Sequence, residues 1–223
     1  MFASIARRYD LLNSLLSFNQ HRYWRRFAVA KCGLWPGDAA LDVGAGTGDL
    51  AIELSRAVDR NGRVVGVDFC RPMLDVGAEK LNRKGIENVR LLEGNAERLP
   101  VPSDSFRAAA TAFTLRNVVS IETALAEMTR TVAPGGRVVV LELARPRGAV
   151  FSRIFDLYFH RILPLIGGAV NRRRGPYDYL PASVASFVSR EELKAAMENV
   201  GLADVKVYDL TGGIVTVHVG TKP

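Results

Sequence analysis

Leu41-Asp42-Val43-Gly44-Ala45-Gly46-Thr47-Gly48-Asp49-Leu50 is the stretch that decides the fold of this 223-residue chain. Apolar residues run into three glycines at alternate positions, and a helical pattern opens at Asp49. Glycine adopts positive φ at little steric cost and lets a ligand approach the backbone closely. The first N–H groups of the following helix have no intrahelical partner and face whatever sits above the turn. The spacing is G-x-G-x-G, not the G-x-G-x-x-G of dinucleotide folds. A purely structural βα turn and a nicotinamide site are the other readings of these ten residues. A hydride-transfer enzyme would want a pyrophosphate turn, which G-x-G-x-G lacks.

Outward from the turn, β-rich runs at 39–43, 63–68, 89–93, 107–113 and 137–143 alternate with helical patterns at 49–58, 72–84 and 121–131. That order predicts a mostly parallel sheet with helices on both faces and right-handed crossovers. The end of the chain differs. A helix is expected over 190–200, entered through Ser189 with Glu192 three residues on, the spacing of a capping box. Alternating runs at 205–210 and 214–219, joined by Thr211-Gly212-Gly213, read as an antiparallel hairpin. The fold class is α/β: a doubly wound, mostly parallel seven-stranded sheet with a C-terminal antiparallel hairpin and helical cap segments. One domain is expected over 1–223. It divides into a helical cap at 1–35, a cofactor-binding half-sheet at 36–144, a cap insertion at 145–189 and a terminal helix and hairpin at 190–223. Within the caps, 4–31 reads as helical, and 150–181 is aromatic, apolar and basic. Both are expected over the carboxyl edge of the sheet, where ligands bind in open α/β folds.

Composition narrows the classes further. Hydrophobic residues make up 48% and charged residues 24% of the chain, enough apolar content for a sizeable core. Disordered tails, collagens and disulfide scaffolds are excluded. Cys32 and Cys70 form no CxxC pair, and His21, His160 and His218 lie far apart, so no metal site is expected. The longest apolar stretches are too short to span a bilayer and contain Pro and Gly, and no secretory h-region opens the chain. The formal charge of +7 is uneven. Residues 1–35 hold five arginines and a lysine against Asp10, and 145–190 hold eight arginines against Asp156 and Asp178. Such segments meet anionic lipid, nucleic acid or an anionic ligand, or they are simply solvated surface.

Two features beyond the turn bear on its ligand. Asp68 closes the second strand, twenty residues after Gly48, where a carboxylate can accept both hydroxyls of a ribose. Asn95-Ala96 follows the third strand, where side chain and backbone can frame an adenine. Together with the terminal hairpin, this set resembles class I S-adenosylmethionine-dependent methyltransferases. The resemblance implies S-adenosyl-L-methionine as cofactor, cradled by Gly44, Gly46, Thr47 and Gly48. Phe69, Met73 and Ala112 would line the same site. Asp42 is a candidate for the ammonium end of the methionine, and a structural strand-end carboxylate is its other reading.

A closer resemblance runs through nearly the whole chain. Tyr9-Asp10-Leu11-Leu12-Asn13, Ser17-Phe18-Asn19-Gln20-His21-Arg22-Tyr23-Trp24-Arg25 and Phe113-Thr114-Leu115-Arg116-Asn117-Val118 carry it. So do Pro134-Gly135-Gly136-Arg137, Phe159-His160-Arg161-Ile162-Leu163-Pro164, Tyr177-Asp178-Tyr179-Leu180 with Ser183, and Asp209-Leu210-Thr211-Gly212-Gly213-Ile214-Val215. These resemble the ubiquinone/menaquinone biosynthesis C-methyltransferase family. Asn19 and Thr114 stand where that family usually has glycine, Ala112 where it often has serine, and Val188 where it commonly has proline.

The resemblance implies C-methylation of a polyprenylated demethylquinol ring, demethylmenaquinol in the first place. A ubiquinone-pathway benzoquinol or another small apolar acceptor is the alternative. It implies an enzyme in the cytoplasm, peripheral at the inner face of the membrane, in transient contact with an anionic surface. Phe151, Ile154, Phe155 and their neighbours would line the tail channel or simply pack the cap. Nucleic acid is not expected as a partner, because the basic groups are interleaved with a long apolar cap; a homodimer is left open. A quinol carbon becomes nucleophilic once the neighbouring phenol loses its proton. Arg116 is then the first candidate beside the ring, as a permanent cation that lowers the phenol pKa, with an ion pair holding the cap as its other reading. Asn117 can orient a water or a quinol oxygen, and His160 is a base by pKa. Tyr9, Tyr177 and Tyr179 are expected against the substrate.

Overall fold

The computed structural model of the chain describes residues 6, 10, 11, 13–148, 183 and 187–223. Five strands form where small and β-branched residues run together: β1 (Ala39–Val43), β2 (Arg63–Asp68), β3 (Val89–Glu93), β4 (Phe106–Ala112) and β5 (Val132–Leu143). Between and before them lie α1 (Gln20–Lys31), α2 (Asp49–Val58), α3 (Arg71–Arg83) and α4 (Ile121–Thr131). The chain ends in α5 (Arg190–Asn199), β6 (Ala203–Leu210) and β7 (Val215–Thr221). All seven strands share one sheet in the order β3-β2-β1-β4-β5-β7-β6. β1 to β5 are parallel, and β7 runs antiparallel to both β5 and β6, the closing hairpin that the sequence predicts.

The period of two along each strand sorts the core into two layers. Ala40, Ala108, Ala110, Val139 and Leu141 face Trp24, Ala28 and Val29 of α1 and Leu50, Ala51 and Leu54 of α2. Leu41, Val43, Ala109, Val138 and Val140 face Leu125 and Met128 of α4 and Leu193 and Met197 of α5. β1 and β4 are thus buried on both faces, which is why they read as unbroken apolar runs and not as alternating ones. At the entry to α5, the Ser189 side chain accepts from the Glu192 amide while Glu192 accepts from the Ser189 amide, completing the capping box.

Most elements lie within two residues of the sequence reading, and two places differ by more. β5 starts at Val132, which pairs with Phe106 before the register shifts and resumes at Ala108–Arg137. The sequence reading starts this strand only at Arg137, and Gly135 (φ 75) lets the longer strand bulge around Pro134-Gly135-Gly136. The helical pattern of 4–31 is broken at 17–19. Phe18 (φ 48) and Asn19 (φ 61) both take left-handed backbone. Asparagine tolerates that region better than most residues, so it can stand where glycine would serve. The break leaves Ser17 to donate to the Asn13 carbonyl at 2.5 Å and to pair with His21 Nδ1 at 2.6 Å.

Helix α3 approaches the glycine turn through Gly77. A Cβ there would lie 2.9 Å from Leu91 Cδ1 and 3.2 Å from the Thr47 carbonyl carbon, which is backbone and cannot swing away. Alanine in a helix interior is favoured over glycine by about 1 kcal/mol. Gly77→Ala is nevertheless expected to lower the melting temperature, because the helix must back off the turn; an unchanged or raised value in a thermal melt would sink this account.

Candidate active site

The turn after β1 needs left-handed backbone at three places, and Gly44 (φ 76), Gly46 (φ 54) and Gly48 (φ 80) supply it. A side chain at Gly44 would collide with Thr114 as well. The Gly44 and Ala45 amides donate to the Val67 carbonyl at 2.7 and 3.0 Å, so the turn is sewn to the end of β2. Asp68 completes the seam. Its Oδ2 accepts from the Gly46 amide and its Oδ1 from the Cys70 amide, both at 2.8 Å. Burial raises the Asp68 carboxyl, and the two amides pull it back down. Each oxygen keeps a further lone-pair direction for a ligand hydroxyl.

Above the turn opens a cleft of about 290 Å³. Of the residues assigned to the cofactor from sequence, Gly44, Gly46, Asp68, Phe69, Met73, Asn95, Ala96 and Ala112 line it, and Asn117 joins them. Asp42, Thr47 and Gly48 do not. Gly48 is the N-cap of α2. Thr47 is buried, donating to Asp10 Oδ1 at 2.6 Å and accepting from Lys80 at 3.1 Å. Asp42 is 1% exposed, no side chain donates a hydrogen bond to it, and the Ala51 amide stabilises its charged form. Burial pushes its carboxyl up to about 7 against the opposing charge of Arg25, with Asp68 and Asp49 adding to the rise. Asp42 stands behind the lining of the cleft, with Arg25 as its opposing charge. At the cleft itself the Asp68 oxygens suit the ribose of S-adenosylmethionine, and the walls of Phe69, Met73 and Val118 suit its adenine. The residues present therefore fit S-adenosylmethionine.

Arg116 sits in a short 3-10 turn, Leu115–Asn117, after β4. Its Nη1 donates to Glu142 Oε2 at 2.8 Å, and its side chain is 9% exposed. It thus lies beside the cleft that Asn117 lines, paired to β5, and does not itself line the cleft. Asn117 donates to the Phe113 carbonyl at 3.3 Å. Phe113 has φ 61, costly for a bulky residue, and its amide is held by the Leu141 carbonyl at 2.8 Å. The guanidinium carbons of Arg25 and Arg116 each lie 5.8 Å from the centre of its ring. Tyr9, His160, Tyr177 and Tyr179 fall outside the described residues.

Several groups were missed from sequence. Arg25 is 6% exposed, its Nη1 3.6 Å from Asp49, and its Nε has no partner. Lys80 bridges Asp10 and Asp49, tying the N-terminal segment to α2 beneath the turn. Glu97, on the cleft wall, accepts from the Ser120 amide at 2.8 Å and so fixes the loop before α4. Glu142 is wholly buried in β5. Only Glu142 left a signal: a lone carboxylate in the apolar run RVVVLEL.

A second cleft, of about 310 Å³, lies among α1, α2 and α3. Arg22, Arg26, Arg56, Arg83 and Lys84 line it and are exposed, so part of the basic N-terminal segment meets cations from two other helices here. His21, at its base, is held down to about 4 by burial and by Arg25, and stays neutral at physiological pH.

Comparison with known proteins fits this geometry. The model of the ubiE/COQ5 methyltransferase family matches residues 1–222. A ubiquinone/menaquinone biosynthesis C-methyltransferase UbiE of Citrifermentans bemidjiense is 45% identical over all of this chain and 94% of its own length. One from Erwinia tasmaniensis is 44% identical over all of this chain and 89% of its own length. Among solved structures, a SAM-dependent methyltransferase from Aquifex aeolicus superposes with a TM-score of 0.71 at 19% identity, covering 99% of this chain and 98% of the other. A SAM-dependent methyltransferase from Thermotoga maritima, described as a possible histamine N-methyltransferase, gives 0.69 at 23%, covering 100% and 98%. At these identities the solved structures speak for the fold alone. With the full-length family match, the chain belongs to the ubiE/COQ5 methyltransferase family and is a S-adenosylmethionine-dependent methyltransferase.

Proposed function

We propose that the chain methylates a ring carbon of a polyprenylated demethylquinol, with demethylmenaquinol as acceptor. The family match over residues 1–222 carries this reading, and the relatives' names speak of both ubiquinone and menaquinone, so a benzoquinol is the second acceptor to test. When bound, S-adenosylmethionine supplies an electrophilic methyl on a sulfonium. The protein's part is alignment and charge. Gly44, Gly46 and Asp68 fix the nucleoside, Asp42 answers the ammonium, and the loop carrying Phe113, Arg116 and Asn117 meets the acceptor ring. Near-attack alignment removes much of the entropy cost of a bimolecular encounter. Arg116, a permanent cation, stabilises the phenolate that makes the ring carbon nucleophilic. The acceptor must accordingly be the reduced quinol. Tyr9, Tyr177 and Tyr179 are proposed against the acceptor and His160 as a base, on the family resemblance alone.

The acceptor's tail resides in a bilayer, so the enzyme works at an anionic membrane surface on the cytoplasmic side. Among the described residues no helix is long and apolar enough to cross a membrane. The basic cleft supports surface contact instead: Arg22, Arg26, Arg83 and Lys84 line it, and Leu11, Leu15 and Phe18 of the N-terminal segment are exposed. Each cation near an anionic leaflet is worth about 1 kcal/mol.

Three outcomes are expected. In a methyl-transfer assay with labelled cofactor, reduced demethylmenaquinol and a reduced benzoquinol analogue are compared with their oxidised forms. Label enters the reduced rings only, and naphthoquinol is preferred; label on a quinone sinks the phenolate mechanism. In calorimetry, cofactor affinity rises with pH from 6 to 8. The Asp42 carboxyl, at about 7 in the free protein, must ionise to pair with the ammonium, so binding is weaker below that value. Asp42→Asn flattens this profile, and a profile that persists in the variant removes Asp42 from the ammonium. In vesicle sedimentation the protein binds anionic but not neutral bilayers, and salt weakens the binding. Arg83→Glu with Lys84→Glu lowers it by about tenfold or more, whereas retained binding places the contact elsewhere.

A further inference from the structure

Seven cations and three carboxylates line the basic cleft among α1, α2 and α3, an excess of positive charge around about 310 Å³. That volume lies at the small end of ligand clefts. The carboxylates already have partners. Lys80 pairs with both Asp10 and Asp49, and Glu53 pairs with Arg56 at 2.5 Å and with Arg26 at 3.5 Å. The excess therefore rests on Arg22, Arg25, Arg83 and Lys84. Among the described residues no carboxylate pairs with Arg22, Arg83 or Lys84. Arg25 is 6% exposed, and its Nη1 lies 3.6 Å from Asp49, beyond hydrogen-bond reach. Neither its Nη1 nor its Nε has a hydrogen-bond partner.

Helix ends explain only part of this gathering. The carbonyls at the C-terminus of α3 favour Arg83 and Lys84 whatever the cleft holds. They do not call for Arg22 and Arg25, which α1 brings to the same cleft from positions three residues apart, neighbours on one helix face. Like charges around a cavity repel one another, and a buried guanidinium without acceptors is costly. An anion seated among them relieves both. The donors say which anion. Guanidinium groups present paired N–H groups that match phosphate oxygens, and a lysine adds a point charge. The N-terminal segment adds an apolar element. Asp10 and Ser14 line the cleft, and the residue after each, Leu11 and Leu15, is 57% and 45% exposed. Leucines next to the lining suit acyl chains, so a phosphate carried by a lipid fits better than a free one.

We propose that this cleft is a phosphate site, one per chain, that seats the headgroup of an anionic phospholipid. The proposal rests on the membrane contact put forward above and sharpens it from a field of surface charge to one built site. A field responds to charge and salt, whatever carries the charge. A built site saturates with a single phosphate and responds to the shape of its donors. It is separate from the cofactor cleft, because the two share no lining residue.

The test uses the full chain saturated with S-adenosylhomocysteine, so that the glycine turn offers no amides to an added anion. Calorimetry with inorganic phosphate, at ionic strength held constant with chloride, is expected to show one saturable site per chain. In sedimentation with vesicles of phosphatidylcholine and phosphatidylglycerol, saturating glycerol phosphate displaces the protein, and chloride at the same ionic strength does not. Arg22→Gln with Arg83→Gln and Lys84→Gln lowers both affinities by about a hundredfold or more, the sum of three cations beside an anionic group. Neutralising three exposed cations elsewhere, with Arg63→Gln, Arg90→Gln and Lys206→Gln, lowers them by less than about threefold. Arg22→Lys with Arg83→Lys is decisive, because every charge is kept and only the fork geometry is lost. A fall of about tenfold in both affinities is expected.

Vesicle binding that ignores glycerol phosphate and survives in the R22K/R83K variant overturns the built site and leaves the surface contact standing. A wild-type chain that binds no anionic vesicle removes the surface contact and the lipid site together. Phosphate binding for which vesicles do not compete overturns the lipid occupant and makes the ligand a soluble phosphate. If the triple glutamine variant melts at the assay temperature, R22K/R83K carries the test alone.

Discussion

The Asp68 carboxylate is the link on which the ligand edge depends. One oxygen holds the Gly46 amide of the turn after β1, and the other holds the Cys70 amide at the start of α3. Two loops that form opposite walls of the cleft are thereby anchored to one side chain at the end of β2. Three positive-φ glycines give the first loop its shape but no rigidity, since glycine is also the most freely moving residue in an unfolded chain. The carboxylate and the Val67 carbonyl supply that rigidity. Asp68 also lines the cleft, so the group that braces the two loops is open to whatever occupies it.

Around that edge the protein gathers charge in places where water is scarce. Asp42 and Glu142 lie at the ends of two central strands, both almost fully buried, and Arg25 and Arg116 come to meet them from α1 and from the turn after β4. Phe113 sits between the two guanidinium groups, in strained backbone held by the Leu141 carbonyl. Lys80 binds both Asp10 and Asp49 and so ties Asp10 to the start of α2. Two carboxylate oxygens of Asp42 and one of Glu142 receive no hydrogen bond from a side chain. In a folded interior such atoms are costly, and here the opposing charges of Arg25 and Arg116 offset part of that cost.

Periodicity and turn chemistry made most of the scaffold legible. The strands at 39–43, 63–68 and 89–93, the helix at 121–131, the capping box at Ser189 and the closing hairpin all rest on neighbours within a few residues. The glycine turn and Asp68 were legible for the same reason: a positive φ or a strand-end carboxylate is a local demand. What failed locally was the helix break at Phe18–Asn19, where asparagine hides a backbone conformation that glycine would have announced, and the bulged start of β5.

By itself the sequence determined the doubly wound sheet, the glycine turn after β1 and, through its motifs, the family. Only the tertiary structure decided which charges meet. Arg25 joins Asp49 across 24 residues, Lys80 joins Asp10 across 70, and Arg116 joins Glu142 across 26. Nothing in the residues between them encodes those distances, because strand order β1-β4-β5, the packing of α1 against α2 and the packing of α3 against β2 and β3 bring them together. It also separated residues that looked alike in the motif: Gly46 faces the cleft, whereas Thr47, one residue on, turns inward to Asp10 and Lys80. Burial likewise turned Asp42 and Glu142 from ordinary carboxylates into groups that hold protons more tightly, since a charge removed from water must find a partner or lose its charge.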